Sequence, residues 1–120
     1  MKPILSESAY NTLYNLLQKI KSPEGKQLGA ELSKAKIVKD PQLCKDVVTL
    51  NSEVEFIADD LNKPVRLKIV LPEEADLSQK KISVLAPISI ALIGFKESYA
   101  FDWILPSGKK KLKIIKVVNL

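Results

Sequence analysis

The sequence contains no histidine and only one cysteine, Cys44, among its 120 residues. Without histidine the chain lacks the commonest general base, the commonest metal ligand and the Ser-His or Cys-His nucleophile pair. A lone cysteine forms neither an internal disulfide nor a metal site, which is typical of a reducing compartment. A glycine-rich phosphate loop is also missing. These absences predict a protein that is not an enzyme, with no catalytic residues, no metal and no cofactor.

Long apolar runs are missing as well. No stretch approaches the roughly 18 to 20 apolar residues that span a bilayer, and the start "MKPILSESAYNTL" lacks the apolar core of a signal peptide. We therefore expect a cytoplasmic protein without a membrane partner. The composition, 46% hydrophobic and 28% charged, is that of an ordinary globular chain with room for one core and a small appendage.

Charge of one sign is not concentrated along the sequence. The formal charge of +5 comes from 19 basic residues interleaved with 14 acidic ones. The one dense run is "KKKLK", Lys109 to Lys113, which we interpret as a solvated edge strand because lysines discourage edge-to-edge pairing. No sequence-specific DNA binding is expected, although contact of these lysines with phosphate stays open as an alternative.

The first 42 residues show the helical period. From Ser6 to Lys21 the apolar residues are spaced by three or four positions, with Ser6 as a possible N-cap. In "KSPEGK", Ser22 can cap a second helix, Pro23 suits its first position, and Glu24 falls in its first turn. Two helices of about 15 residues with so short a link must run antiparallel, as a helical hairpin.

After residue 46 the period changes to two, which favours strands. "VVTLNSEVEF", "PVRLKIVL" and "KISVLA" are predicted strands, and "SYAFDWILPSGKKKLKIIKVV" is a predicted hairpin whose turn is Pro106-Ser107-Gly108. "DDLNK" is a predicted turn, and Phe101, Trp103 and Leu105 share a face. The chain is thus predicted to be α+β, with a helical hairpin followed by an antiparallel sheet of four or five strands.

A short helix interrupts the strands in "ISVLAPISIALIGF", residues 82–95. Pro87 has a fixed φ and starts a helix easily, whereas Gly94 can adopt the left-handed conformation that ends one. Helical spacing places Ile88, Ala91 and Leu92 on the sheet. Ile90 and Ile93 then fall outside the face of the helix that lies on the sheet. Two alternatives remain open: a partner covers part of these extra apolar side chains, or the sheet encloses them.

Four of these blocks occur together in a known family. "VVTLNSEVEF", "PVRLKIVLPEEAD", "ISVLAPISIALIG" and "WILPSGKKKLKIIKVV" resemble the C-terminal domain of the bacterial transcript-cleavage factors GreA and GreB, and most closely the shorter Rnk type, the regulator of nucleoside diphosphate kinase. The resemblance covers about residues 46–118. It implies an FKBP-like domain over residues 46–120, without proline-isomerase activity, and a short coiled coil over residues 1–42.

The resemblance also implies a partner. In that family the C-terminal domain binds the rim of the RNA polymerase secondary channel, and the coiled coil points toward the pore. The partner-binding residues would lie at the start of the short helix: Leu85, Ala86, Pro87, Ile88 and Ile90.

The predicted tip of the hairpin departs from the cleavage factors. GreA and GreB have paired acids there that help hold a catalytic magnesium ion. The tip here is Ser22, Pro23 and Glu24, with one carboxylate between Lys21 and Lys26. A 15-residue helix also reaches only about 22 Å. The resemblance therefore implies a monomeric transcription regulator that binds RNA polymerase without stimulating transcript cleavage.

A second departure follows the short helix, where the family's Gly-Asp pair is replaced by Ser98-Tyr99. This turn must be built differently from the family's, with aromatic bulk in place of a tight turn. The alternative function, prompted by the fold type alone, is an FKBP-like peptidyl-prolyl isomerase or peptide-binding module. Such a site would require an open pocket lined by aromatic residues.

Overall fold

The computed structural model describes residues 2–59, 63–105 and 108–119, with the side chain of residue 105 left out. The helices of this part of the chain are α1 (Glu7–Lys19), α2 (Pro23–Lys34) and α3 (Pro87–Leu92). Its strands are β1 (Ile4–Ser6), β2 (Lys36–Val38), β3 (Glu53–Ala58), β4 (Val65–Val70), β5 (Lys81–Ser83), β6 (Ala100–Leu105) and β7 (Gly108–Val118). No helix in the described ranges is long and apolar enough to cross a membrane.

Both helices of the hairpin begin where the sequence predicts. The Ser6 hydroxyl accepts a hydrogen bond from the Ala9 amide at 3.2 Å, and the Ser22 hydroxyl accepts one from the Gly25 amide at 3.1 Å. Pro23 is the first residue of α2. Each serine thereby satisfies a helix-terminal amide that has no partner within its own helix. The helices have 13 and 12 residues, slightly fewer than predicted.

A small parallel pair of strands closes the base of the hairpin and was not predicted. β1 pairs with β2 in the register Ile4 with Lys36 and Ser6 with Val38. β1 leads into α1 and β2 follows α2, so the pairing holds the start of α1 beside the end of α2 and makes the two helices antiparallel. Three residues are too few for an alternating pattern to be recognised in the sequence.

The main sheet has five strands in the order β5-β4-β3-β7-β6. Its neighbouring strands are antiparallel except for β4 and β5, which are parallel, so the prediction of a wholly antiparallel sheet is wrong at this pair. The reason lies in the segment between them. Two 3₁₀ turns, Pro72–Glu74 and Leu77–Gln79, carry the chain back beside Lys68 in the middle of β4 before β5 begins.

Two predicted strands are shorter than their sequence patterns. β3 begins only at Glu53, because residues 49–51 form a turn in which Asn51 has a φ of 69°. β5 ends at Ser83, where the chain turns toward α3. Residues 106 and 107 of the predicted hairpin turn, and residues 60–62 of the predicted "DDLNK" turn, lie outside the described residues.

The interpretation of the lysine run as an edge strand is wrong. β7 lies between β3 and β6, and β6 is the edge strand. The reason is that β7 pairs with a strand on each of its two sides. Leu112 and Ile114 are fully buried opposite Ala58 and Phe56 of β3, which fixes the register of β7 on that side, and β6 pairs along its other side.

The hairpin shares one core with the sheet. Leu13 of α1 and Leu28 of α2 are each 0% exposed and belong to the same buried cluster as Val54 and Ile114. The molecule measures 37 × 31 × 29 Å, and its radius of gyration of 13.5 Å is what one compact unit of this length has. The hairpin therefore lies on the sheet unit. The coiled-coil description and the division into residues 1–42 and 46–120 stay predictions.

Candidate partner-binding surface

The predicted surface lies where the chain leaves β5 and enters α3. The Ala86 amide donates to the Ser83 carbonyl at 3.0 Å, and the Leu85 amide donates to the Ser83 hydroxyl at 3.0 Å. The Ser89 hydroxyl also donates to the Ser83 carbonyl, at 2.7 Å. These three bonds fix the turn from both sides. We call Leu85, Ala86, Pro87 and Ile88 the apolar corner.

The apolar corner is partly open to solvent. Pro87 is exposed, while Leu85, Ala86 and Ile88 are half-buried. Pro87 is the first residue of α3, and its missing amide hydrogen costs nothing at that position. These four residues can present an apolar surface to a partner without unfolding any part of the chain.

Ile90 does not belong to this surface. It is 2% exposed, as are Leu92 and Ile93, because α3 contacts α2 and these side chains belong to the same buried cluster as residues of the sheet. Of the two alternatives for the surplus apolar residues, enclosure therefore holds for Ile90 and Ile93. The predicted partner-binding set is reduced to the apolar corner.

The hairpin tip contains the predicted residues in a simple capping arrangement. The Ser22 hydroxyl is used by the Gly25 amide, and the Ser22 carbonyl accepts from the Lys26 amide at 3.0 Å. Glu24 is an exposed acid in the first turn of α2, where the helix dipole favours it. The tip thus offers one carboxylate with lysines on both sides. It does not match the paired acids that the resemblance to GreA and GreB associates with a magnesium ion.

No metal site is apparent elsewhere in the described ranges. Among these residues, no group of three or more aspartate, glutamate, cysteine or histidine side chains is placed to hold an ion. Asp40 and Asp76 do have lowered pKa values. The pKa of Asp40 is lowered by hydrogen bonds from the Ser8 side chain and amide, and that of Asp76 by hydrogen bonds from Ser78. Asp40 thus binds an amide in the first turn of α1, and Asp76 fixes its own turn.

An aromatic stack follows α3. Phe95 and Tyr99 lie with ring centroids 4.8 Å apart at 9°, and Tyr99 and Phe101 are 5.5 Å apart at 17°. The sequence shows the aromatic bulk but not that the three rings face one another. Ser98, in the place of the family's Gly-Asp pair, adopts a φ of 76°. The chain thus keeps a left-handed turn without using glycine.

The stack does not supply the open pocket that the isomerase alternative requires. The rings stack on one another, and the cavity that Phe101 lines has no second ring among its described lining residues. That cavity, of about 240 Å³, is otherwise lined by Ala100, Asp102 and Lys111. No observation in the described residues favours this alternative.

Together these features define a small α+β protein in which a helical hairpin packs on a mixed sheet beside a short helix. Known proteins share this arrangement. The family model for the C-terminal domain of transcription elongation factor GreA/GreB matches residues 43–119. The chain therefore belongs to the GreA/GreB family.

Two curated relatives are named transcription elongation factor GreA. The one from Syntrophotalea carbinolica is 35% identical over 95 residues, which cover 79% of this chain and 58% of the relative. The one from Azorhizobium caulinodans is 27% identical over 113 residues, which cover 94% of this chain and 72% of the relative. The chain thus spans a little over half the length of the first relative.

Solved structures show the same fold. A transcription elongation factor GreA/GreB from Nitrosomonas europaea superposes with a TM-score of 0.81 at 32% identity and covers 99% of both chains. The GreA factor homologue Gfh1 of Thermus thermophilus superposes with a TM-score of 0.51 at 18% identity, which supports the fold alone. The likeness to the Rnk type and to the FKBP fold stays a prediction.

Proposed function

We propose that the chain binds RNA polymerase near the secondary channel and regulates transcription without stimulating transcript cleavage. The observation that carries this proposal is the family membership of residues 43–119 together with an apolar corner that stays accessible within that region. Polymerase binding enters through the resemblance to GreA and GreB. The chain is proposed to act as a monomer.

The geometry of the apolar corner suits a contact surface. A rigid surface loses little conformational entropy when it binds, and the hydrogen bonds to Ser83 already fix the corner in the free protein. Its apolar side chains stand on a buried support, because Ile90 and Leu92 anchor α3 from beneath. A partner would then meet a preformed surface with Pro87 at its most exposed point.

The hairpin supports the absence of cleavage. Glu24 is the one acid of the tip, and the hydroxyl of Ser22 is occupied by the helix cap. α1 has 13 residues and extends about 20 Å at 1.5 Å per residue. The packing of Leu13 and Leu28 against the shared core further limits how far the tip can extend from the sheet.

The test is direct binding of the purified chain to RNA polymerase, measured by biolayer interferometry. Pro87→Glu places a charge at the centre of the corner, and glutamate is well tolerated in the first turn of a helix. We expect at least about tenfold weaker binding, or about 1.4 kcal/mol. Leu77→Glu is the matched control, because Leu77 is 73% exposed and lies outside the corner. The proposal would be overturned if Pro87→Glu and Leu77→Glu bound the polymerase with the same affinity. It would also be overturned if the unmodified chain did not bind at micromolar concentration.

A further inference from the structure

The five-stranded sheet has one face that the helices do not cover. Side chains alternate between the two faces of a strand. On β3, Val54, Phe56 and Ala58 point into the core. Glu53, Glu55 and Ile57 therefore point to the opposite side. We call this opposite side of the sheet, followed from β5 to β6 by the strand registers, the outer face.

β7 contributes a row of lysines to the outer face. Lys113 is the register partner of Ile57, and Lys111 and Lys109 follow at alternate positions. Between Glu55 and Phe56 the register shifts by one residue of β7, so that Lys116 is the partner of Glu55. All four lysines are exposed. Lys109 lies 3.5 Å from Asp102, whereas the other three make no ion pair with any described residue.

β4 and β5 contribute a second basic group. Lys68 of β4 is the register partner of Lys81 of β5, and Arg66 occupies the next outer position of β4. A cavity of about 250 Å³ lies beside the two strands and also includes Lys80 in its lining. The carboxylate that lines this cavity is that of Glu53, which lies 3.7 Å from the Arg66 guanidinium.

The outer face carries most of the net charge of the chain. It holds seven of the 19 basic residues but only four of the 14 acidic ones, namely Glu53, Glu55, Asp102 and Asp59, which follows β3 and whose amide donates to the Lys111 carbonyl. The face therefore has a formal charge of +3 out of +5, and the remaining 12 basic and 10 acidic residues nearly cancel. Charges that are evenly spread along the sequence are thus concentrated in space.

We propose that the outer face binds the phosphate backbone of a nucleic acid. Lysines at alternate positions of β7 are about 7 Å apart along the strand, and β4 lies about 10 Å from β7 across β3. Two rows of cations at this separation can contact several phosphates at once. This inference does not rest on polymerase binding, because the outer face and the apolar corner share no residue.

The chemistry of the face indicates binding without base recognition. The aromatic residues of β6, Phe101 and Trp103, take inner positions opposite Leu112 and Lys110, so no ring of β6 is available to stack on a base. Lysines act as mobile point charges, which can contact phosphates without the fixed bidentate geometry that an arginine provides. The same charges could attract an acidic protein segment, but the strand positions of this face hold no aromatic residue, and its one arginine, Arg66, is already paired with Glu53.

The test is fluorescence anisotropy with one labelled sequence, prepared as duplex DNA and as single-stranded RNA. At about 50 mM salt we expect dissociation constants near or below the micromolar range, with log affinity falling linearly with log salt concentration. Lys111→Glu combined with Lys113→Glu should weaken binding by at least about tenfold and reduce the salt slope by about two. Duplex DNA and single-stranded RNA both present phosphates. Comparing their two affinities therefore shows which form the outer face prefers.

Lys36→Glu combined with Lys45→Glu is the matched control, because both lysines are exposed, lie outside the face and change the net charge equally. We expect less than about a threefold loss in this variant. An equal loss in both double variants would show that net charge alone acts and would overturn the proposal. So would an absence of binding to either nucleic acid, or equally tight binding of poly-glutamate. Circular dichroism of each variant shows whether its fold is retained.

Discussion

Gly94 and Pro3 meet without space for a side chain between them. A Cβ built on Gly94 would lie 2.4 Å from the Cβ of Pro3. The Gly94 carbonyl accepts a hydrogen bond from the Ile4 amide at 2.8 Å, and its own amide donates to the Val48 carbonyl at 2.8 Å. The glycine that ends α3 therefore also joins the N-terminal strand to the segment before β3.

Gly94→Ala is expected to destabilise the protein by about 2 to 5 kcal/mol. The backbone of Gly94 has a φ of 87°, a conformation that costs a residue with a Cβ roughly 1 to 2 kcal/mol. Overpacking against Pro3 and the Ile4 amide adds about 1 to 3 kcal/mol. Urea denaturation followed by circular dichroism measures the free energy of unfolding.

A double-mutant cycle separates the two causes. Pro3→Gly removes the Cβ that the new methyl group would meet, so the double variant should be less destabilised than the sum of the single variants by about 1 kcal/mol. If the effects simply add, the contact with Pro3 is not the reason that position 94 requires glycine.

Ser98→Gly is expected to stabilise the protein by about 0.5 to 1 kcal/mol. Ser98 is exposed and has a φ of 76°, which costs a non-glycine residue about 1 to 2 kcal/mol. Part of that gain is lost because glycine has more conformational entropy in the unfolded chain. Ser98→Ala keeps the Cβ and should show no gain, so equal stabilities of the two variants would contradict the explanation.

Asp40 should make the stability depend on pH at the acid end. Its side-chain oxygen accepts from the Ser8 amide at 3.1 Å in the first turn of α1, and hydrogen bonds from the Ser8 side chain and amide lower its pKa below the ordinary 3.8. This contribution is present above the unfolded-state pKa and is lost as the pH falls through the folded-state pKa. Asp40→Asn should therefore reduce the denaturation midpoint at pH 7 and flatten its decline below about pH 4.

Urea denaturation between about pH 7 and pH 2 measures both effects. Ser8→Ala removes the hydroxyl donor but keeps the amide, so it should produce only part of the change seen with Asp40→Asn. An unchanged acid limb in the asparagine variant would assign the pH dependence to other carboxylates.

The features that the sequence predicted are those fixed by local chemistry. Ser6 and Ser22 cap the helices because each serine side chain reaches an amide only three residues further along the chain. Pro87 starts α3 and Gly94 ends it for equally local reasons. Helix boundaries could therefore be derived to within a few residues.

The features that the sequence did not predict depend on distant partners. The parallel placement of β5 beside β4 depends on how the intervening turns fold, and the interior position of β7 depends on β6 joining its free side. The burial of Ile90 depends on α2 covering α3. The basic outer face appears only when the five strands are brought into register, because no single stretch of sequence contains it.

The chain is expected to leave transcript cleavage unstimulated when it is added to a backtracked RNA polymerase complex. Glu24 is the only acid at a short tip. The tip therefore lacks the pair of carboxylates that the resemblance to GreA and GreB associates with cleavage. If the apolar corner occupies the proposed site, the chain should also reduce cleavage stimulated by a full-length GreA, and Pro87→Glu should abolish that competition. Gel analysis of the labelled transcript measures both outcomes. Clear acceleration by the chain alone that disappears in Glu24→Gln would show that a single acid suffices and would refute this interpretation of the tip.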